Sequence, residues 1–199
     1  MLKSLVAGLI VFLLGACTPE TNHSAMMQSA VFVKAGSGHG SGVVIGPSIV
    51  LTAAHVAVNG DVSVIVNGET IAAKVVMQGT GEDADFAVLK LSHSVDVPIA
   101  KISCREVPVG EQIYAVGWPL NGLPSVLVSG KVLSHEDVGG EYFRFTDANF
   151  IMGMSGGPVY DAEGNVVGIV HGMIVTQYGM PGLNIFAAVQ PLCKSFGVE

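Results

Sequence analysis

The sequence predicts an all-β chain built as two six-stranded antiparallel β-barrels with a short C-terminal helix. Three observations point there. Short apolar runs are broken by turn signals roughly every ten residues. Glycine is abundant, with 26 in 199 residues, and charged residues make up only 13%, a balance that favours strands and turns over helices. The runs also fall into two sets of six, separated by Pro98–Gly110. Closing each set into a barrel removes the edges that short strands would otherwise expose.

In chain order, the first set of strands is expected at Ala30–Lys34, Ser41–Ile45, Ile49–Thr52, Val62–Val66, Ile71–Gln78 and Phe86–Leu91. The second set follows at Gln112–Gly117, Leu123–Leu133, Tyr142–Thr146, Pro158–Tyr160, Val166–Gly172 and Asn184–Ala188. The turns carry Gly46-Pro47, Asn59-Gly60, Asn67-Gly68, Asn121-Gly122 and Glu163-Gly164-Asn165, residues whose backbones accept tight reversals. One helical turn is expected at Ala53–Val58, and a terminal helix from about Val189 to Phe196. The first barrel then spans about 30–97 and the second about 110–190, within a domain of 30–199.

Residues 1–16 read as a leader. Met1-Leu2-Lys3 is a short basic start, and Leu5–Leu14 is an apolar run of signal-peptide length, too short to span a bilayer. Its end, Leu14-Gly15-Ala16-Cys17, resembles the lipobox of bacterial lipoproteins. That resemblance implies cleavage before Cys17, lipidation of Cys17 and export to the cell envelope, facing the periplasm. The alternative is an ordinary signal peptide with a coincidental cysteine. Thr18 stands where an inner-membrane retention signal places Asp, which favours the outer membrane. Residues 17–29, polar and rich in small side chains, read as a tether.

A formal net charge of -7 and only nine Lys plus Arg argue against nucleic acid as a partner. Apart from Cys17, two cysteines remain. In an oxidising compartment Cys104 and Cys193 are candidates to pair, pinning the tail to the middle of the chain. No histidine stands near either at nucleophile or zinc spacing.

The stretch that organises the chemistry is Gly153-Met154-Ser155-Gly156-Gly157-Pro158. A serine hydroxyl is a poor nucleophile unless a base removes its proton and donors hold the resulting oxyanion. Glycines let a loop turn its N–H groups inward, so Gly153 and Ser155 are the natural oxyanion donors. On its own the segment also reads as a Gly-rich turn. Two upstream stretches change that: Leu51-Thr52-Ala53-Ala54-His55-Val56, and Asp85 opening the apolar run Phe86–Leu91. Base, carboxylate and hydroxyl are then all present, in the chain order of the chymotrypsin arrangement. His55 and Asp85 fall in the first half and Ser155 in the second, so a cleft between barrels has to assemble them.

Several further segments resemble trypsin-like serine peptidases, and within them the bacterial HtrA/Deg type. Gly40-Ser41-Gly42-Val43-Val44-Ile45 resembles the family's early strand, and Val50–His55 its histidine turn. Val109–Pro119 is similar to its entry into the second barrel, with Ser129-Gly130-Lys131-Val132 and Thr146-Asp147-Ala148 following in order. The resemblance covers roughly Val31 to Val189. It implies a chymotrypsin/trypsin-like fold and a serine endopeptidase acting on proteins or peptides without a cofactor. His55 takes the place of the general base, Asp85 of the residue that orients it, and Ser155 of the nucleophile. Asp85 fits the family pattern better than Asp83 does, because Ala87 and two apolar residues follow it.

Two departures stand out. Met154 occupies the place of an Asp or Asn in the family, so activation by ion pairing with a freed N-terminus is not expected. No PDZ-like segment is expected after the protease domain, so the family's peptide sensing and cage assembly are not implied. For specificity, Asn149, six residues before Ser155, is expected at the floor of the primary pocket, where nothing favours Lys or Arg. His171 is expected near the pocket wall, as a structural histidine or a neutral wall, with a polar lining favouring an acidic residue as the alternative. No carboxylate and histidine spacing suggests a metal. A catalytically quiet, peptide-binding or chaperone-like lipoprotein is the alternative to the enzyme.

Overall fold

The computed structural model describes residues 22–58, 61–79, 85–119, 123–136, 142–175 and 181–197. The expected leader, Cys17, the first part of the tether, Asp83 and the turns Asn59-Gly60 and Asn121-Gly122 lie outside the described residues.

The first barrel follows α1 (His23–Ser29) and contains β1 (Ala30–Ala35), β2 (Gly38–Gly46), β3 (Ile49–Thr52), β4 (Val62–Val66), β5 (Glu69–Gln78) and β6 (Ala87–Leu91), with the short α2 (Ala54–Ala57) after β3. The second contains β7 (Gln112–Gly117), β8 (Val126–Glu136), β9 (Phe143–Thr146), β10 (Pro158–Tyr160), β11 (Val166–Val175) and β12 (Pro181–Ala188), and ends in α3 (Gln190–Ser195). Both sheets close, in the orders β1-β2-β3-β6-β5-β4 and β10-β11-β12-β9-β8-β7, with every strand pair antiparallel.

Period-2 patterning explains the closure. In β4 the residues alternate between buried and half-buried, so one face fills the interior while the other meets solvent. Val33, Val43, Val64 and Leu89 are fully buried in the first core; Ile113, Ala115, Val159 and Phe186 fill the second. The β4–β5 hairpin turns through Asn67 and Gly68, both at positive φ, which two-residue hairpins require. β8 starts at Val126, three residues later than the sequence suggested. Pro124, just upstream, has no N–H to give a ladder.

The linker is strapped to both barrels. Ala100 N–H donates to the Val44 carbonyl at 2.9 Å and Ser103 N–H to that of Val166 at 2.9 Å. Cys104 and Cys193 form a disulfide with Cα atoms 6.0 Å apart, tying α3 to this strap. Beside it Arg105 pairs with Glu111 and, at 3.1 Å, with the buried Asp161.

The tether expectation needs correcting at its far end, because residues 23–29 are helical and packed. The Asn22 side chain caps α1 by accepting from Ala25 N–H at 3.0 Å. Met26 and Ser29, three residues apart on one helical face, are buried, as is Ala30 at the start of β1. Ser29 Oγ and Tyr160 Oη lie 2.7 Å apart, joining α1 to β10 of the second barrel. Burial pushes the Tyr160 phenol well above its ordinary value, against the opposing hydrogen bond to Ser29.

Candidate active site

The first barrel supplies an imidazole and a carboxylate. Thr52, fully buried at the end of β3, anchors the chain just before α2, and that single helical turn presents His55. Asp85 precedes β6. Its Oδ1 accepts the His55 backbone N–H at 3.0 Å, and its Oδ2 lies 2.8 Å from His55 Nδ1. An ionised carboxylate only accepts, so Nδ1 carries the proton and Nε2 keeps a lone pair. Burial raises the Asp85 carboxyl, but hydrogen bonds from the His171 and His55 side chains outweigh it and hold the group well below the usual carboxylate range. The His55 side chain is 44% exposed and that of Asp85 only 12%, so the imidazole opens to solvent from a largely sheltered support.

The second barrel supplies the hydroxyl. Its loop lies so close to the first barrel that a Cβ on Gly156 would sit 2.3 Å from Thr52 Oγ1 and 2.4 Å from the Ser41 carbonyl oxygen. Gly156 also has a φ of 82° and Gly153 one of 98°, so glycine is required twice over. Ser41 fastens the loop across the seam. Its N–H donates to the Ser155 carbonyl at 2.7 Å. Its fully buried hydroxyl donates to the Gly153 carbonyl at 2.9 Å and accepts Trp118 N–H at 2.8 Å. From below, Met154 is fully buried in the second core, and its Sδ accepts Ile151 N–H at 3.4 Å. An apolar anchor therefore stands where the family has a polar side chain. Among the described residues the N–H groups of Gly153 and Ser155 have no protein partner.

His171 lies beside the Asp85 carboxylate. The β11–β12 register slips between Val170 and Gly172, and His171 is the extra residue of that bulge, which re-aims a side chain. Its Nδ1 lies 2.5 Å from Asp85 Oδ2, the oxygen His55 also uses. The two imidazoles meet edge to face with centroids 5.3 Å apart, and Phe143 packs on His171 at 4.7 Å. The His171 carbonyl accepts Ser155 Oγ at 3.1 Å. Thus Ser155, His171, Asp85 and His55 form one connected cluster, in which the resting hydroxyl is bonded to the His171 carbonyl and not to His55. Asn149 is exposed, and no hydrogen bond ties it to the cluster among the described residues. His55, Asp85 and His171 each offer a ligand atom within 4.8 Å of the others, a metal-capable grouping that spacing along the chain did not suggest.

Comparisons with known proteins show the family of the chain. A model of the trypsin-like peptidase domain matches residues 40–169. The chain is 33% identical over 150 residues to a probable periplasmic serine endoprotease, DegP-like, of Pseudomonas savastanoi, covering 73% of this chain and 31% of the relative. It is 34% identical over 138 residues to the serine endoprotease DegS of Haemophilus influenzae, covering 65% and 40%. A DegP-like relative from Brucella suis is 34% identical over 176 residues, covering 80% and 34%. The chain therefore spans well under half the length of these relatives. Among solved structures, the serine endoprotease from Yersinia pestis superposes with a TM-score of 0.71 at 26% identity, covering 87% of this chain and 63% of that one. The active form of the Rv3671c protease from M. tuberculosis shares the fold, with a TM-score of 0.70 at 22% identity over 89% and 84%. The chain belongs to the trypsin-like peptidase domain family.

Proposed function

We propose that the protein is a serine endopeptidase using His55, Asp85 and Ser155, exported and held at the cell envelope through Cys17. The observation that carries this reading is the two-point grip of Asp85 on His55, at 3.0 and 2.8 Å, in one cluster with Ser155 and its two unpartnered amides. As Ser155 Oγ attacks a peptide carbonyl, His55 Nε2 takes the hydroxyl proton and the Gly153 and Ser155 N–H groups receive the oxyanion. His55 then gives that proton to the leaving amine. A water molecule repeats the sequence to free Ser155, and Asp85 stays ionised throughout.

The substrate is an extended peptide. Among the described residues β10 pairs with β11 only from Val166 to Ile169, which favours strand addition along the edge of β11 beyond Val170. Ile151, Met152, Met173 and Ile174 are exposed on the segments flanking Ser155 and His171, which favours apolar side chains such as unfolded envelope proteins present. Two of the relatives are named periplasmic serine endoproteases, in keeping with an exported, periplasm-facing place.

A second reading, a catalytically quiet peptide-binding lipoprotein, draws on the resting bond of Ser155 Oγ to the His171 carbonyl. Hydrolysis of an unfolded protein substrate by the purified mature chain separates the two. The enzyme reading predicts cleavage that Ser155→Ala abolishes while peptide binding persists. Absent cleavage with binding intact in both proteins supports the quiet module.

A further inference from the structure

We infer that His55, Asp85 and His171 form a site for a divalent transition-metal ion of zinc type, and that metal in this site switches the hydrolase off. The ligand set comes first. One carboxylate and two imidazoles converge, with Asp85 Oδ2 at 2.8 Å from His55 Nδ1 and 2.5 Å from His171 Nδ1, and all three atoms lie within 4.8 Å of one another. This is a donor set zinc takes, with metal–ligand distances of about 2.0–2.2 Å that place tetrahedral ligand atoms about 3.3 Å apart. The two carboxylate–imidazole spacings are tighter by less than about 1 Å, a gap that small side-chain rotations open.

Support and access follow from the fold. The three ligands come from α2, from the entry to β6 and from the β11 bulge, so the barrels hold them in place. The His55 backbone N–H keeps Asp85 Oδ1 in position, the outer hydrogen bond that orients a ligating carboxylate. Both imidazoles are partly open to solvent, at 44% and 32% side-chain exposure. An ion therefore enters from the cleft and keeps a coordination position for water.

The switch is a matter of tautomers. Without metal, His55 Nδ1 holds the proton against Asp85 and Nε2 has the lone pair that accepts the Ser155 proton. With metal on Nδ1, the neutral imidazole carries its proton on Nε2 instead. Nε2 then donates and no longer accepts. The proton has moved from one ring nitrogen to the other, no bond to carbon changes, and the general base is gone. The inhibitory half of the inference rests on the peptidase reading; the binding half does not.

The test uses the mature chain carrying Ser155→Ala, stripped with chelator and titrated with zinc chloride by calorimetry. One equivalent is expected to bind with a micromolar or tighter Kd, weakened about tenfold or more by His171→Asn and unchanged by His93→Asn, which alters the exposed pair of His93 with Glu69. Absence of saturable binding, or a Kd unmoved by His171→Asn in a protein that still unfolds cooperatively, overturns the site. Should that variant fail to fold, cobalt(II) added to the Ser155→Ala chain decides. Absorption bands of a tetrahedral or five-coordinate ion are expected, and a purely aqueous spectrum refutes the site. In the unsubstituted chain, zinc is expected to block hydrolysis and chelator to restore it. Zinc that binds while hydrolysis continues removes the switch. A chain that never cleaves substrate removes the peptidase reading and leaves the titration to judge the site alone.

Discussion

The two barrels divide the work unequally. The first delivers a finished pair: His55 and Asp85 are joined by two hydrogen bonds within one barrel, behind a core of fully buried valines and leucines. The second delivers Ser155 on a loop whose position depends on contacts across the seam, through Ser41, Thr52 and Trp118. The second is also the more braced, with the Cys104–Cys193 disulfide, the Arg105 pairs and the Tyr160 link to α1. The imidazole–carboxylate half of the proposed site is thus a local property of one barrel. The serine half is a property of how two barrels dock.

Gly156→Ala strikes docking hardest. A Cβ there meets Thr52 Oγ1 at 2.3 Å, so the loop must retreat from the first barrel, and a misplacement of that size costs on the order of 100-fold in kcat/KM. The His55–Asp85 pair is expected to survive, read by its downfield Nδ1–H resonance. Loss of that resonance would mean the first barrel does not build its pair alone. Replacing Cys104 and Cys193 by serine is expected to lower stability by ~2–4 kcal/mol in denaturant titration, with the second barrel losing hydrogen-exchange protection first. Ser41→Ala leaves Trp118 N–H and the Gly153 carbonyl without their hydroxyl partner, at a cost of about 1–3 kcal/mol. It is expected to lower kcat more than it raises KM, since the oxyanion loop and not the peptide-binding edge is disturbed. The smallest effect is on acid stability. Asp85 titrates lower folded than unfolded, so its contribution is complete above the unfolded value of about 3.9. That contribution is lost as pH falls from there toward the folded value. Asp85→Asn therefore flattens the acid limb of a stability–pH curve measured from roughly pH 5 downward.

What the sequence made legible follows the same division. Strands built on period-2 burial and marked by Asn67-Gly68 or Gly46-Pro47 were readable because those signals are local. His55, Asp85 and Ser155 stood out through the motifs around them. Features set by long-range registration were not. The bulge that re-aims His171 exists only in the pairing of β11 with β12, so the contact of that ring with Asp85 was not readable along the chain. Ser41 read as part of an early strand, because its hydroxyl's partners lie 77 and 112 residues away. The α1 face escaped notice because Ser29, polar by type, is buried against Tyr160. Met154 looked like a missing polar contact until the core beneath it was seen to take an apolar side chain.

The claim that the two halves act as one site is tested most directly by fluorophosphonate labelling of the mature chain, with the modified residue mapped by mass spectrometry. The account predicts an adduct on Ser155 that disappears in His55→Ala and slows in Ser41→Ala. An adduct forming at the same rate without the His55 imidazole, or none on Ser155 in the unsubstituted chain, would contradict it.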